Sequence, residues 1–163
     1  PMSLASHTAI KAPFVDGGKE SDIRLTVPAG RRCELNERWL PTEKTKSLTM
    51  YDLEYKTGSK CPVLQDINND MYTGETAELD HEKFHGIIAE DIASGKKLCY
   101  QVSDEYMFWI IWNDGGFNHY FCPEPMTAMI NAANLDLPGD VSGKREVKPG
   151  EEFTAHQRFF TKL

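Results

Sequence analysis

Hydrophobic and polar residues alternate along much of the chain. Residues 23–27 read IRLTV, with an apolar residue at every second position, and this period predicts a strand that is buried on one face. Residues 85–92 and 97–102 are rich in β-branched and apolar residues and flank the tetrapeptide Ala-Ser-Gly-Lys. That tetrapeptide has the composition of a turn, so the two stretches predict a β-hairpin.

The longest apolar stretch lies in residues 106–112, which are almost all aromatic or β-branched. Such a run predicts a central strand buried on both faces, and residues 118–122 are expected to return beside it after a glycine turn. Residues 152–160 alternate again. Only residues 51–55 and 126–133 have a pattern compatible with short helices, so the sequence predicts an all-β protein, most simply a β-sandwich.

Composition narrows the class of protein. The chain has 163 residues with 40 % hydrophobic and 26 % charged residues, without a repeat or linker, which predicts one soluble globular domain over residues 1–163. A formal net charge of -7 argues against nucleic acid and against anionic lipid as partners. No apolar run approaches the ~20 residues of a membrane helix, and the first residues lack the pattern of a signal peptide. We therefore expect a cytoplasmic protein.

Cysteines and histidines give little support for a metal site. The four cysteines are widely spaced and form no CxxC pair, so free thiols in a reducing compartment are favoured, although two disulfides remain open. His81 and His85 are four residues apart, but β-branched residues follow them and do not favour the helix that would bring them together. We predict no metal and no cofactor.

Three segments carry candidate chemistry. Residues 6–8 and 68–72 are polar and are expected to form loops, the second with Asx hydrogen bonds. Glu124 stands between Pro123 and Pro125, and the two prolines leave it few backbone conformations. This rigidity suits a positioned functional group and suits a plain turn equally well. A group of aromatic residues is expected to form core, with sugar stacking as the alternative; it comprises Tyr106, Phe108, Trp109, Trp112 and Phe121.

These motifs, in this order, resemble the aldose 1-epimerase (galactose mutarotase) family. The stretch FCPEPMT at residues 121–127 precedes Asn-Ala at 131–132 and the VKPGE element at 147–151, as in the C-terminal half of that family. The stretch SHTA at residues 6–9 resembles the segment with the catalytic histidine, and NDMY at residues 69–72 resembles the segment with the substrate-binding aspartate. The resemblance covers nearly the whole chain.

The resemblance implies a β-supersandwich fold and interconversion of the α and β anomers of a free aldose, such as glucose or galactose. It implies that Glu124 is the general base, that His7 is the general acid, and that Asp70 hydrogen-bonds sugar hydroxyls. Such a pair removes a proton from the anomeric hydroxyl and delivers one to the ring oxygen without metal or cofactor. We expect the two side chains to face one cleft with room for a pyranose.

Two departures from the family leave alternatives open. Family members are about twice as long, and their N-terminal half supplies an arginine and a second histidine that have no counterpart here. Pro1 in place of Met fits a chain that begins within a longer protein. We therefore expect a companion chain with the N-terminal half, or a homo-oligomer. The alternatives are a non-catalytic carbohydrate-binding β-sandwich and a sugar-phosphate epimerase, and the acidic net charge does not favour the latter.

Overall fold

The computed structural model describes residues 1–163, which form twelve β-strands, two short α-helices and two 3₁₀ turns. The strands are β1 (Ile10–Lys11), β2 (Ile23–Thr26), β3 (Ala29–Leu35), β4 (Pro41–Lys46), β5 (Asp70–Gly74), β6 (Ala77–Leu79), β7 (Glu82–Phe84), β8 (Gly86–Asp91), β9 (Lys96–Val102), β10 (Phe108–Trp112), β11 (Tyr120–Met126) and β12 (Gln157–Lys162). The helices are α1 (Met50–Lys56) and α2 (Gly139–Ser142). No helix is both long and apolar enough to cross a bilayer.

The strands form two main antiparallel sheets and one small hairpin. The six-stranded sheet has the order β1-β11-β10-β5-β3-β4, and the four-stranded sheet has the order β12-β9-β8-β2. The hairpin consists of β6 and β7. The predicted β-sandwich is therefore confirmed, and its edge strands are β1 and β4 in one sheet and β12 and β2 in the other.

The two faces of the six-stranded sheet have different partners. Successive residues of a strand point to opposite faces, so Tyr72, Trp109 and Ile111 belong to the large core between the two sheets. Their neighbours Met71 and Ile110 belong to a second cluster, where the 128–135 segment covers the outer face. The register thus assigns the residues of β5, β10 and β11 to the inner or the outer face.

Most predicted elements are present, and two are wrong. The strand at 23–27, the hairpin at 85–102 and the short helix at 51–55 are confirmed as β2, β8–β9 and α1. The predicted helix over 126–133 is not formed, because Met126 still belongs to β11 and only a 3₁₀ turn follows at Ala132–Asn134. The predicted polar loop at 68–72 lies largely in β5, which pairs with β10 and β3.

The aromatic run at 106–112 does lie at the centre of a sheet, as predicted. Tyr106, Phe108 and Trp109 are each at most 3 % exposed, because the second sheet covers one face and the 128–135 segment covers the other. The run is therefore buried without any further polypeptide. All four cysteines are free thiols.

Candidate functional site

Two prolines in β11, Pro123 and Pro125, determine which backbone donors the strand lacks. Proline cannot donate a backbone hydrogen bond and is usually confined to edge strands, yet β11 has a neighbour on each side. The carbonyl of Met126 accepts from Met107 beside β10, whereas the carbonyl of Pro125 accepts from Ser6 on the other side. Since the N–H and C=O of one residue point to the same neighbour in an antiparallel ladder, the missing donors of Pro123 and Pro125 face only the N-terminal segment.

The register places His7 directly opposite Glu124. Ala5 lies opposite Met126 and Ile10 lies opposite Phe121, so the same register continues between them and pairs residue 7 with residue 124. The backbone bond lies on the flanking pair Ser6 and Pro125, which makes His7 and Glu124 a non-hydrogen-bonded pair, in which the side chains approach most closely. Nε2 of His7 is 3.2 Å from Oε1 of Glu124.

The two members of this pair differ in their exposure to water. The side chain of Glu124 is 12 % exposed, and that of His7 is 59 % exposed. Burial raises the pKa of Glu124 above its ordinary value, and the nearby charge of His7 offsets part of that increase. A carboxylate with a raised pKa beside an imidazole is a suitable pair for proton transfer.

Trp112 and Cys122 complete the surroundings of the pair on the outer face. The rings of His7 and Trp112 meet edge to face at 5.6 Å between centroids, and Trp112 is half-buried, unlike the rest of the aromatic run. Cys122 is fully buried. Burial raises the pKa of its thiol to about 11, and the charge of Glu124 contributes to that increase, so this cysteine is no nucleophile at neutral pH.

The space around the pair differs from the prediction. A separation of 3.2 Å between Nε2 and Oε1 leaves no room for a sugar ring between acid and base. A cavity of about 440 Å³ opens at the next opposite pair, Ala5 and Met126, and is lined mainly by apolar residues, with Lys144 and Arg145 among the polar ones. The pair is in contact because the register brings the two residues together.

Asp70 lies on the other face of the sheet. Residues that lie opposite each other in the register share a face. Asp70 lies opposite Ile111, and Glu124 lies opposite Ile110. Ile110 and Ile111 are neighbours on β10 and therefore point to opposite faces. Asp70 therefore points toward the inner side and is only 4 % exposed. It forms an ion pair with Arg32 and accepts a hydrogen bond of 2.8 Å from the hydroxyl of Tyr51 in α1. The structure brings His7 and Glu124 together but does not bring Asp70 to them.

Arg32 is the centre of this inner polar cluster. Its guanidinium also contacts Asp52 at 2.5 Å, and the hydroxyl of Tyr72 donates to the same carboxylate at 2.7 Å. Burial alone raises the pKa of Asp52, but hydrogen bonds from Tyr72, Thr49 and Arg32 outweigh it and lower the pKa to about 2. The cluster joins α1 to β3 and β5.

The remaining histidines do not come together. His85 contacts Asp104 and His119 contacts Glu20, each as a separate pair at the surface. His81 is 98 % exposed. No three side chains of His, Cys, Asp or Glu converge in a way that could hold a metal ion.

A sequence model of the aldose 1-epimerase family matches residues 1–159. The chain belongs to the aldose 1-epimerase family. The match spans nearly the whole chain and does not bear out the narrower expectation that it corresponds to the C-terminal half of the family.

Three solved structures that share the fold come from different organisms. A galactose mutarotase-like protein from Clostridium acetobutylicum has a TM-score of 0.93 and 28 % identity, over 99 % of this chain and 48 % of its own. A protein from Escherichia coli K12, provisionally named an aldose 1-epimerase, has a TM-score of 0.73 and 17 % identity, over 99 % and 50 %. An aldose epimerase homologue from C. elegans has a TM-score of 0.67 and 16 % identity, over 99 % and 51 %. The chain spans about half the length of these proteins.

Two features of the site were not found from the sequence. Trp112 was grouped with the core aromatics, and its contact with His7 depends on the register of β10 against β11. The inner cluster around Arg32 was also missed, because Arg32, Asp52 and Asp70 are far apart in the chain. A sequence signal for the cluster was present in Thr49-x-x-Asp52, which forms a capping box at the start of α1.

Proposed function

We propose that this chain supplies the acid–base pair of an aldose 1-epimerase, with Glu124 as general base and His7 as general acid. The observation that carries the proposal is the 3.2 Å contact between the two side chains on a chain of this family. The order of the two residues along the chain also agrees with the family. The substrate is a free aldohexose such as glucose or galactose.

The chemistry requires two coordinated proton transfers. Glu124 removes the proton of the anomeric hydroxyl while His7 protonates the ring oxygen, and the bond between C1 and the ring oxygen breaks to give the open aldehyde. After rotation about the C1–C2 bond the ring closes on the other face, and each proton returns by the reverse path. An ion pair of carboxylate and imidazolium is the correct starting state, because the base is then free and the acid is loaded.

Sugar binding requires the ion pair to open. The side chain of His7 has more room to move than that of Glu124, since it is 59 % exposed and that of Glu124 is 12 % exposed. Movement of His7 away from Glu124 admits the ring between them and keeps the base fixed on β11.

The remaining contacts to the sugar are expected to come from elsewhere. The family resemblance implies an arginine and a second histidine outside this chain, which spans half of its solved relatives. We propose that a companion polypeptide supplies them, or that a second copy of the chain completes the assembly. That Asp70 hydrogen-bonds sugar hydroxyls stays a prediction, and its present partners are Arg32 and Tyr51. A cytoplasmic location also stays a prediction.

The proposal is tested by polarimetry of freshly dissolved α-D-glucose or α-D-galactose, with the chain alone and with its companion. Glu124→Gln keeps the size of the side chain and removes the base, so we expect kcat to fall about 10²- to 10⁴-fold with little change in KM. Glu152→Gln, at an exposed position, is the matched control and should keep full activity. Near wild-type turnover by Glu124→Gln would overturn the assignment.

A second candidate function is a non-catalytic carbohydrate-binding module on the same scaffold. The observation that favours it is the closed contact between His7 and Glu124, which leaves no space for the sugar between them. Calorimetric titration with the same sugars separates the two functions. Binding without mutarotation above the spontaneous rate, with or without the companion, would support the module.

A further inference from the structure

The segment that carries His7 has few backbone anchors. Residues 6–9 lie outside any strand, between the isolated bridge at Ala5 and the start of β1 at Ile10. Continuing the register, Ser6 faces Pro125 and Thr8 faces Pro123, and neither proline can donate to its partner. In this stretch the backbone bond to β11 is that from Ser6 to the carbonyl of Pro125, at 3.2 Å.

The side chain of Ser6 has a second anchor from the other sheet. Ser6 and His7 are neighbours and point to opposite faces, so the hydroxyl of Ser6 is directed inward. There the side-chain amide of Gln157 donates to Oγ of Ser6 at 2.7 Å. Gln157 is the first residue of β12, the edge strand of the four-stranded sheet.

Gln157 is itself held in place by two tyrosines. Its amide nitrogen also donates to the hydroxyl of Tyr106, and its carbonyl oxygen accepts from the hydroxyl of Tyr100. Tyr100 and Tyr106 both belong to the core between the sheets. The side-chain amide of Gln157 therefore has a fixed orientation, and its third hydrogen bond goes to Ser6, the residue before His7.

We propose that Gln157 is a positioning residue, which acts through the hydroxyl of Ser6 to hold His7 opposite Glu124. A role of Gln157 in catalysis rests on the proposed function. Its effect on the position of His7 is a property of the free protein and can be measured without catalysis. Because Pro123 and Pro125 cannot donate ladder bonds to the residues on either side of His7, the Ser6 hydroxyl adds a side-chain anchor to a segment that has one backbone bond to β11. Gln157 touches neither the pair nor the face on which the pair lies.

Nuclear magnetic resonance of the free chain tests the positioning without any assay of activity. The edge-to-face contact of His7 with Trp112 predicts a nuclear Overhauser effect between the two rings. We expect Gln157→Ala and Ser6→Ala to weaken this effect, and Ser6→Thr, which keeps the hydroxyl, to retain it. The matched control is Gln101→Ala, because Gln101 lies on the adjacent strand β9 opposite Arg158.

A second readout is the titration of the Glu124 carboxyl carbon. The charge of His7 lowers the pKa of Glu124, so displacement of His7 should move that pKa upward in Gln157→Ala and in Ser6→Ala alike. The double variant should show no further change, since both substitutions break one connection. In a preparation that has mutarotase activity, the single variants should lose kcat about ten- to hundredfold, with KM less affected.

The outcomes separate the two proposals. An unchanged ring contact and an unchanged Glu124 titration in Gln157→Ala would overturn the positioning role, whatever the activity. A change in Gln157→Ala but not in Ser6→Ala would overturn the route through the hydroxyl. Positioning effects as expected, in a protein without mutarotation, would leave this inference standing and count against the proposed function.

Discussion

Nε2 of His7 and Oε1 of Glu124 are 3.2 Å apart, although one residue lies near the start of the chain and the other in its last third. A single antiparallel register, defined by Ala5 opposite Met126 and Ile10 opposite Phe121, accounts for their contact. Glu124 is fixed in a strand and largely buried, and His7 is in an irregular segment and largely exposed. This asymmetry leads to the first two predictions.

The acidic limb of the pH–rate profile should report Glu124. Because burial raises its pKa above the ordinary value of 4.5, the base becomes protonated at a higher pH than an exposed glutamate. We expect kcat/KM to fall on acidification with a midpoint above that value. His7→Gln removes the charge that lowers this pKa, so the residual activity of that variant should decline at a still higher pH.

Glu124→Gln should make the folded chain more stable at pH 7. A carboxyl group with a raised pKa in the folded state favours folding below its unfolded pKa, and that contribution is lost as the pH rises through the folded pKa. The neutral amide has no such loss. Thermal unfolding should therefore give a higher Tm for the variant at pH 7, with the difference shrinking as the pH falls through the raised pKa. A lower Tm at pH 7 would show that the contact with His7 outweighs the cost of burial.

Replacement of Arg32 should lower the free energy of unfolding far more than replacement of its neighbour Arg31. Arg32→Ala leaves the buried carboxylates of Asp52 and Asp70 without their cation, and we expect a loss of about 3–5 kcal/mol in the free energy of unfolding. Arg31→Ala, at an exposed position of the same strand, should change it by about 0.5 kcal/mol or less. Urea denaturation of both variants measures the difference. The lowered pKa of Asp52 adds stability above its unfolded pKa, and this is lost as the pH falls toward 2.

Asp70→Asn separates the two roles considered for Asp70. If its function is to pair with Arg32 and Tyr51, the variant should lose stability of about 1–3 kcal/mol, and KM should be little changed for the protein that remains folded. A raised KM at unchanged stability would instead support direct contact with sugar hydroxyls.

Association should depend on the open sheet edges. Unpaired edge strands favour pairing with another chain, and β4 and β12 present such edges, with Phe159 on β12 45 % exposed. We expect light scattering to show a complex with the companion polypeptide, or a homo-oligomer of the 18.5 kDa chain. A stable monomer with full mutarotase activity would contradict this.

Features that depend on neighbouring residues could be predicted from the sequence, and features that depend on pairing between distant segments could not. The alternation in residues 23–27 and the hairpin at 85–102 are local, and both were predicted correctly. The Asn and Asp residues in 68–72 predict a loop, because these residue types favour turns. Pairing with β10 and β3 nevertheless places most of the segment in a strand. Tertiary pairing overrode local propensity there. The family resemblance predicts His7 and Glu124 as site residues, and their contact could not be derived from spacing. The side of the sheet on which Asp70 lies follows from a register that no short pattern encodes.

The two prolines of β11 also bear on which positions near His7 tolerate substitution. A residue in a regular ladder can be replaced only by one that keeps its strand geometry, and its neighbours constrain it on both sides. Ala9 is exposed and lies two residues from His7, where the ladder is interrupted, so a substitution there disturbs few backbone bonds. The surface beside His7 can thus change at this position while β11, which carries Glu124, stays unaltered.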